Sequence, residues 1–281
     1  MLSSHKKNIL LLGGEGFIGR NIVDELGADY RCHSVGVAKS PFFQGDRNDA
    51  YISANPYAER IEGEFDIVIH LIDNAISLDE FERQERRLLG NIRFADNAQI
   101  ILFSSAVLYA NPTSEYAQRK AILESVISQH AKANDIKPVI FRLFNIFGKY
   151  QIPFKQGSFV ANVLCNHLMH APTEIFDMNA KRDFMFAADM AKFVRFAIEA
   201  SYDGSTDLGT QQLLTLGEVI SHIEESIYEK VAVIDKGMQE TLVCPLASNA
   251  LIENVGLTPM GQGLQETYDF YKRNIALING K

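Results

Sequence analysis

The chain predicts an α/β fold, a doubly wound parallel sheet with a smaller second lobe. Two observations carry this. Short apolar runs near 8–12, 32–38, 65–71, 99–105 and 137–143 alternate with helix-periodic stretches near 17–27, 77–97 and 114–133; that alternation builds parallel strands with helical crossovers. A glycine string, Gly13-Gly-Glu-Gly16-Phe-Ile-Gly19, also falls where the first strand gives way to the first helix.

Taken in order, Ile9-Leu10-Leu11-Leu12 has the continuous apolar character of a strand buried on both faces, and Phe17, Ile18, Ile22, Val23 and Leu26 follow helical spacing. Residues without Cβ let a backbone turn tightly and approach a pyrophosphate, whose charge is met by free N–H groups and the positive end of the helix dipole. Gly13, Gly16 and Gly19, with the amides of Phe17 and Ile18, are therefore the candidate dinucleotide contacts. The spacing is Gly-x-x-Gly-x-x-Gly, and glycine turns without a ligand also exist. Residues 99–105 read as another buried strand that delivers Ser104 and Ser105 to its carboxyl end, the ligand side of open α/β sheets. Tyr116 and Lys120 stand four apart in the helix that follows, so they share a face. A lysine ammonium beside a phenol is expected to lower its pKa from about 10, which would make Tyr116 an acid or base near neutrality. A Tyr-x-x-x-Lys pair alone is more often a solvated pair; after a strand ending in Ser-Ser it points to proton transfer.

With these pieces in place the chain resembles the extended short-chain dehydrogenase/reductases, the NAD(P)-dependent epimerase/dehydratase family. The likeness runs nearly end to end, through Gly45-Asp46-Arg-Asn-Asp49, Asp66-Ile-Val-Ile-His-Leu71, Asn91, Arg142-Leu-Phe-Asn145-Ile-Phe-Gly148, Arg182-Asp183-Phe184, Asp189, Leu208-Gly209-Thr210 and Val255-Gly-Leu-Thr-Pro259. It implies a Rossmann-type fold and assigns roles. Ser105 would hydrogen-bond the reacting oxygen, Tyr116 would exchange the proton, and Lys120 would hold the nicotinamide ribose. Asp46 would face the adenine, Leu71 would line the cofactor site, and Asn91 would support the active-site architecture. Asn145 and Arg182 would contact a nucleotide diphosphate. A guanidinium fork suits phosphate oxygens, although Arg182 could instead pair with neighbouring Asp183. The same likeness implies a dinucleotide-binding domain over 1–148 plus about 183–210, with a substrate lobe over about 149–182 plus 211–281. A homodimer is an expectation of the resemblance only.

Departures narrow the reaction. Ten residues separate Ser105 from Tyr116, a short connection shared with compact keto-reductases of the family such as dTDP-4-dehydrorhamnose reductase. Ala106 and Val107 follow Ser105, so the acidic pair of the 4,6-dehydratases is missing, and Ala106 stands where an epimerising cysteine would be. The second strand ends in Ala38-Lys39-Ser40 where an NAD site places an acid. Lys39 and Ser40 therefore favour NADP(H), with NAD(H) possible, and Arg20 in a helix's first turn hints at a nearby anion. The expected activity is NADPH-dependent reduction of a nucleotide-linked keto-sugar for cell-surface polysaccharide. The alternatives are an NAD-dependent epimerase and a non-catalytic dinucleotide sensor or scaffold.

Composition fits such an enzyme. The chain has 281 residues, 47% hydrophobic, with 27 basic against 35 acidic residues and a net charge of −8. That gives no footprint for nucleic acid or an anionic membrane. Cys32, Cys165 and Cys244 are odd in number and far apart, as reduced thiols of a cytoplasmic protein would be. The apolar start is too short for a signal peptide, and no run approaches a membrane span. His167 and His170 have a metal-compatible spacing but no completing ligands, so no metal site is expected. Asp73 is expected to cap the next helix, with contact to the cofactor as the alternative, and Glu82 to Arg87 to form a solvated face; Phe141, Phe144, Phe147 and Phe154 are expected to pack in the core, with a stacking wall for a base as the lesser alternative.

Overall fold

The computed structural model describes residues 6–37, 49–155, 158–238 and 244–279. In chain order the elements are β1 (Asn8–Leu12), α1 (Phe17–Leu26), β2 (Arg31–Gly36), β3 (Asp49–Ser53), β4 (Phe65–His70), α2 (Leu78–Gly90), β5 (Phe94–Ser105), α3 (Val107–Ala110), α4 (Glu115–Ala133), β6 (Lys137–Leu143), β7 (Asn145–Phe147), α5 (Phe159–Leu168), β8 (Thr173–Ile175), β9 (Lys181–Arg182), β10 (Phe184–Phe186), α6 (Ala187–Glu199), β11 (Gly204–Leu208), β12 (Leu214–Thr215), α7 (Leu216–Ile227), β13 (Val233–Asp235) and α8 (Met260–Asn279).

The chain divides into two compact units, 1–143 with 191–206 and 144–190 with 207–281. The first holds a seven-stranded sheet in the order β3-β2-β1-β4-β5-β6, closed by β11. Neighbouring pairs from β3 to β6 are parallel. The order reverses between β1 and β4, so the glycine turn after β1 stands at the topological switch point, where open sheets bind ligands. Leu10, Leu12, Val68, Ile100 and Leu102 pack against Phe81 and Leu88 of α2 and Leu123, Val126 and Ile127 of α4. Alternation along the strands turns Ile9, Leu11, Ile67 and Ile101 to the other face, and all four are fully buried.

Two elements depart from the sequence reading. The helix expected to reach residue 97 stops at Gly90, with Asn91 as its C-cap. The strand then begins at Phe94, pairs with Phe65, and shifts register before Gln99 meets Ile67. Asn97, at φ 58°, sits in that irregularity. The extra strand β3 was not expected: as a half-exposed edge strand it needs few apolar residues and leaves little periodic signal.

The second unit is built of small pairs. β7 runs parallel to β10, β9 antiparallel to β12, and β8 parallel to β13. Because 145–147 pairs with β10 and not with the large sheet, the division falls at 143 and not at 148. A capping box of Thr215 and Glu218 starts α7. Asp183, fully buried, accepts hydrogen bonds from Thr210 N (2.7 Å), Thr210 Oγ1 (2.8 Å) and Gln211 N (2.9 Å). That accounts for the Leu208-Gly209-Thr210 motif, since a Cβ at Gly209 would lie 2.6 Å from Asp183 Oδ2. Phe141, Phe144 and Phe147 are buried, whereas Phe154 is 56% exposed. His167 pairs with Glu229 at 3.0 Å, and among the described residues no group of three or more His, Cys, Asp or Glu could hold a metal. No helix among the described residues is long and apolar enough to cross a membrane.

Candidate active site

The glycine turn is built by packing as well as by flexibility. Gly13 adopts φ +85°, and a Cβ there would lie 2.9 Å from Ile72 Cγ2. Leu71 N donates to Leu12 O at 3.0 Å, which holds the 71–72 segment against this turn. Gly14, which sequence reasoning passed over, is wedged: a Cβ would meet Ser34 Oγ at 2.1 Å. Gly19 backs onto Gly14, with its Cβ position 2.5 Å from Gly14 Cα. A Cβ at Gly16 would meet only Gly13 O, at 3.3 Å, so its outer side is open. Gly16 is the N-cap of α1, no side chain caps the helix, and its first turn holds no acid. The amides of Phe17, Ile18 and Gly19 thus present a positive helix end without a side-chain cap, which fits a pyrophosphate.

Arg20 does not wait for an external anion. It is buried and pairs with Glu15 at 3.2 Å, its Nε donating to Glu15 O at 3.1 Å, so its position gives no support to NADP(H). Lys39, Ser40 and Asp46 lie outside the described residues.

Ser105, Tyr116 and Lys120 are brought together. Ser105 ends β5, opposite Leu143 of β6. Its Oγ accepts from Val107 N at 3.2 Å and shares a hydrogen bond with Tyr116. The ten-residue connection folds as α3 and a turn, and Ser114 then caps α4 by accepting from Ala117 N at 3.2 Å. That cap sets Tyr116 in the first turn of α4. Lys120, 5% exposed, donates to Phe103 O at 3.3 Å and places Nζ 5.5 Å from the Tyr116 ring centroid.

The electrostatics correct one expectation. Burial pushes the Tyr116 phenol above its ordinary value; the hydrogen bond to Ser105 and the charge of Arg119 pull it down, and Asp73 pushes it up. Tyr116 is still 39% exposed, so solvent moderates the burial effect. Lys120 is not among the largest contributions to that shift, although its Nζ lies 5.5 Å from the ring centroid. Burial lowers Lys120 itself; Asp73, Glu85 and Glu124 hold it up, and Arg119 lowers it further.

Three side chains differ from their sequence reading. Asp73 does not cap α2, whose N-cap Ser77 makes no side-chain cap bond; it pairs with Arg119 Nε at 3.3 Å. Glu85 is not solvated: it is fully buried, 2.9 Å from both His70 Nε2 and the Tyr57 hydroxyl. Asn91 lies at the opposite end of the sheet, by the start of β4, donating to Pro56 O at 3.0 Å. Local spacing has no means of reporting such pairings.

In the second unit, Asn145 and Arg182 line one cavity of about 640 Å³ with Lys155, Phe176 and Phe184. Asp183, the alternative partner named for Arg182, accepts from Thr210 and Gln211. Arg182 Nη1 donates to Lys181 O at 2.8 Å.

The model of the NAD dependent epimerase/dehydratase family matches residues 9–208. The chain is 22% identical over 255 residues to UDP-glucuronic acid decarboxylase 2 of Arabidopsis thaliana, covering 78% of this chain and 57% of that protein. It therefore spans little more than half the length of that relative. It is 22% identical over 297 residues to dTDP-4-dehydro-6-deoxyglucose reductase of Escherichia coli, covering 89% of each. Among solved structures it is similar to the UDP-glucose 4-epimerase of Thermus thermophilus in complex with NAD, with a TM-score of 0.75, 19% identity, and 94% of this chain and 99% of that one covered.

Proposed function

Since the chain belongs to the NAD dependent epimerase/dehydratase family, we propose that it reduces the keto group of a nucleotide-linked sugar, with Tyr116 as proton donor. The observation that carries this reading is the meeting of Ser105, Tyr116 and Lys120 at the carboxyl end of β5. A phenol that is protonated near neutrality and hydrogen-bonded to a serine can pass its proton to an oxygen on which charge develops. A nicotinamide dinucleotide, when bound, supplies the hydride. The amides of Phe17, Ile18 and Gly19, with Gly13 and Gly16, would hold its pyrophosphate, and Leu71 and Lys120 would border it. Ser105 would orient the carbonyl oxygen, and Tyr116 would pass its proton to that oxygen as charge develops there. In the second unit Arg182 and Asn145 would take the diphosphate, and Phe176, 65% exposed at the same cavity, offers a flat apolar surface to a base.

NADP(H) is the cofactor we favour. Through Val37 the end of β2 carries no acid that would repel a 2′-phosphate, and Ala38-Lys39-Ser40 follow in the chain. An epimerase that retains NAD is the second reading, favoured by the likeness to the Thermus thermophilus enzyme. Calorimetric titration of the nucleotide-free protein with NADPH, NADH and NAD separates them. Reversible NADPH binding, followed by loss of NADPH absorbance with a nucleotide-linked keto-sugar, is the expected result; co-purified NAD and indifference to NADPH would move the assignment to epimerase. Tyr116→Phe should abolish turnover while leaving dinucleotide binding intact, and retained turnover would end the donor role.

A further inference from the structure

Tyr116, Arg119 and Lys120 lie at i, i+3 and i+4 of α4 and share one face. Two cations therefore flank the same ring: Arg119 Cζ is 6.0 Å and Lys120 Nζ 5.5 Å from its centroid. Arg119 is only 8% exposed, and a guanidinium so far out of water requires an anion. The anion is Asp73, from the segment after β4, 46 residues away in sequence and 3.3 Å from Arg119 Nε. The Asp73 side chain keeps 28% of its surface in solvent, so the pair sits at the rim of the site.

We propose that Asp73 is a positioning residue of the proton-transfer centre, acting through Arg119: it holds the guanidinium against the Tyr116 ring and balances its charge, which keeps the proton on the phenol. The groups facing Tyr116 are Ser105 from β5, Asp73 from the segment after β4, and Arg119 and Lys120 from its own helix. Lys120 in turn faces Asp73, Glu85 of α2, and Arg119 and Glu124 of α4. Among these, Asp73 and Arg119 act on both members of the Tyr–Lys pair, and with opposite signs. Removing Asp73 leaves an unbalanced cation beside the ring and favours the phenolate. Removing Arg119 leaves an unbalanced carboxylate and favours the phenol.

The proposal rests on Tyr116 being the proton carrier, but its test needs neither substrate nor dinucleotide. The full chain is labelled with carbon-13 at tyrosine Cζ, the Tyr116 resonance is assigned by its loss in Tyr116→Phe, and its titration is followed by NMR. Asp73→Asn should move the midpoint down by roughly half a pH unit or more, a shift that charges at this separation produce near a surface. Arg119→Gln should move it up, and the double variant should return it toward the wild-type value. Shifts of the same sign, or none, in variants with native circular dichroism would overturn the proposal, since a purely structural pair lowers the melting temperature without opposite-signed shifts. Should Arg119→Gln fail to fold, Asp73→Glu keeps the charge and must leave the midpoint in place while Asp73→Asn moves it; identical behaviour of the two overturns the proposal. Absence of turnover with every keto-sugar would count against the reductase reading and not against this pair.

Discussion

Replacing Gly19 by alanine tests whether the glycine turn is held by packing. On propensity alone Gly→Ala inside a helix stabilises by about 1 kcal/mol. The structure reverses that sign. The new Cβ would lie 2.5 Å from Gly14 Cα, 2.7 Å from Gly14 O and 2.8 Å from Gly14 C. Ordinary carbon contacts are about 3.5–4.0 Å, so the overlap is roughly 1 Å and falls on backbone. Gly14 has little room to retreat, because its own Cβ position is 2.1 Å from Ser34 Oγ. Overpacking of this kind costs about 1–3 kcal/mol, and subtracting the propensity gain from its upper end leaves a net loss of about 2 kcal/mol. For a chain of this size each kcal/mol lowers the melting temperature by roughly 2–4 °C. Calorimetry of the nucleotide-free protein reads this directly. A Gly19→Ala variant as stable as wild type, or more stable, would refute the packing argument. Under the proposed function the same variant should also weaken dinucleotide binding by more than about tenfold, since opening the turn misplaces the first-turn amides.

Glu85→Ala should cost about 3–5 kcal/mol in urea unfolding, because it strands His70 Nε2 and the Tyr57 hydroxyl inside the fold; a loss below about 1 kcal/mol would show that the network relaxes freely. Burial pushes the Cys32 and Cys165 thiols up to about 12, with Asp49 adding to the effect at Cys32. Their contribution to stability is therefore complete below the ordinary thiol value of about 8.5 and is lost as the pH rises toward 12, with a slope of up to about 1.4 kcal/mol per pH unit for each thiol. Cys165→Ala should flatten that alkaline slope in stability measured against pH, and an unchanged slope would reject the assignment. Under the proposed function Arg182→Ala should weaken binding of a nucleoside diphosphate by about tenfold or more, whereas equal affinity would remove Arg182 from the proposed site.

What the sequence by itself determined is what consecutive residues carry. Runs such as Ile9 to Leu12 and Gln99 to Phe103 read as buried strands between helices, the glycine string reads as a tight turn before a helix, and Tyr116 and Lys120 share a face because a helix repeats every 3.6 residues. The doubly wound sheet followed from these, and the pairing of Ser105 with Tyr116 was implied by the family resemblance. Tertiary structure decided the charges and the close packing. Asp73 looked like a helix cap and Glu85 like part of a solvated face until crossovers brought one to Arg119 and the other to His70 and Tyr57. Gly14 looked incidental until β2 set Ser34 against it. The phenol of Tyr116 was expected to feel Lys120, yet burial, Ser105, Asp73 and Arg119 act on it most. Periodicity records which way a side chain points from its own element, whereas burial and ion pairing depend on what another element brings to meet it, and that is settled only when the strands take their places in the sheet.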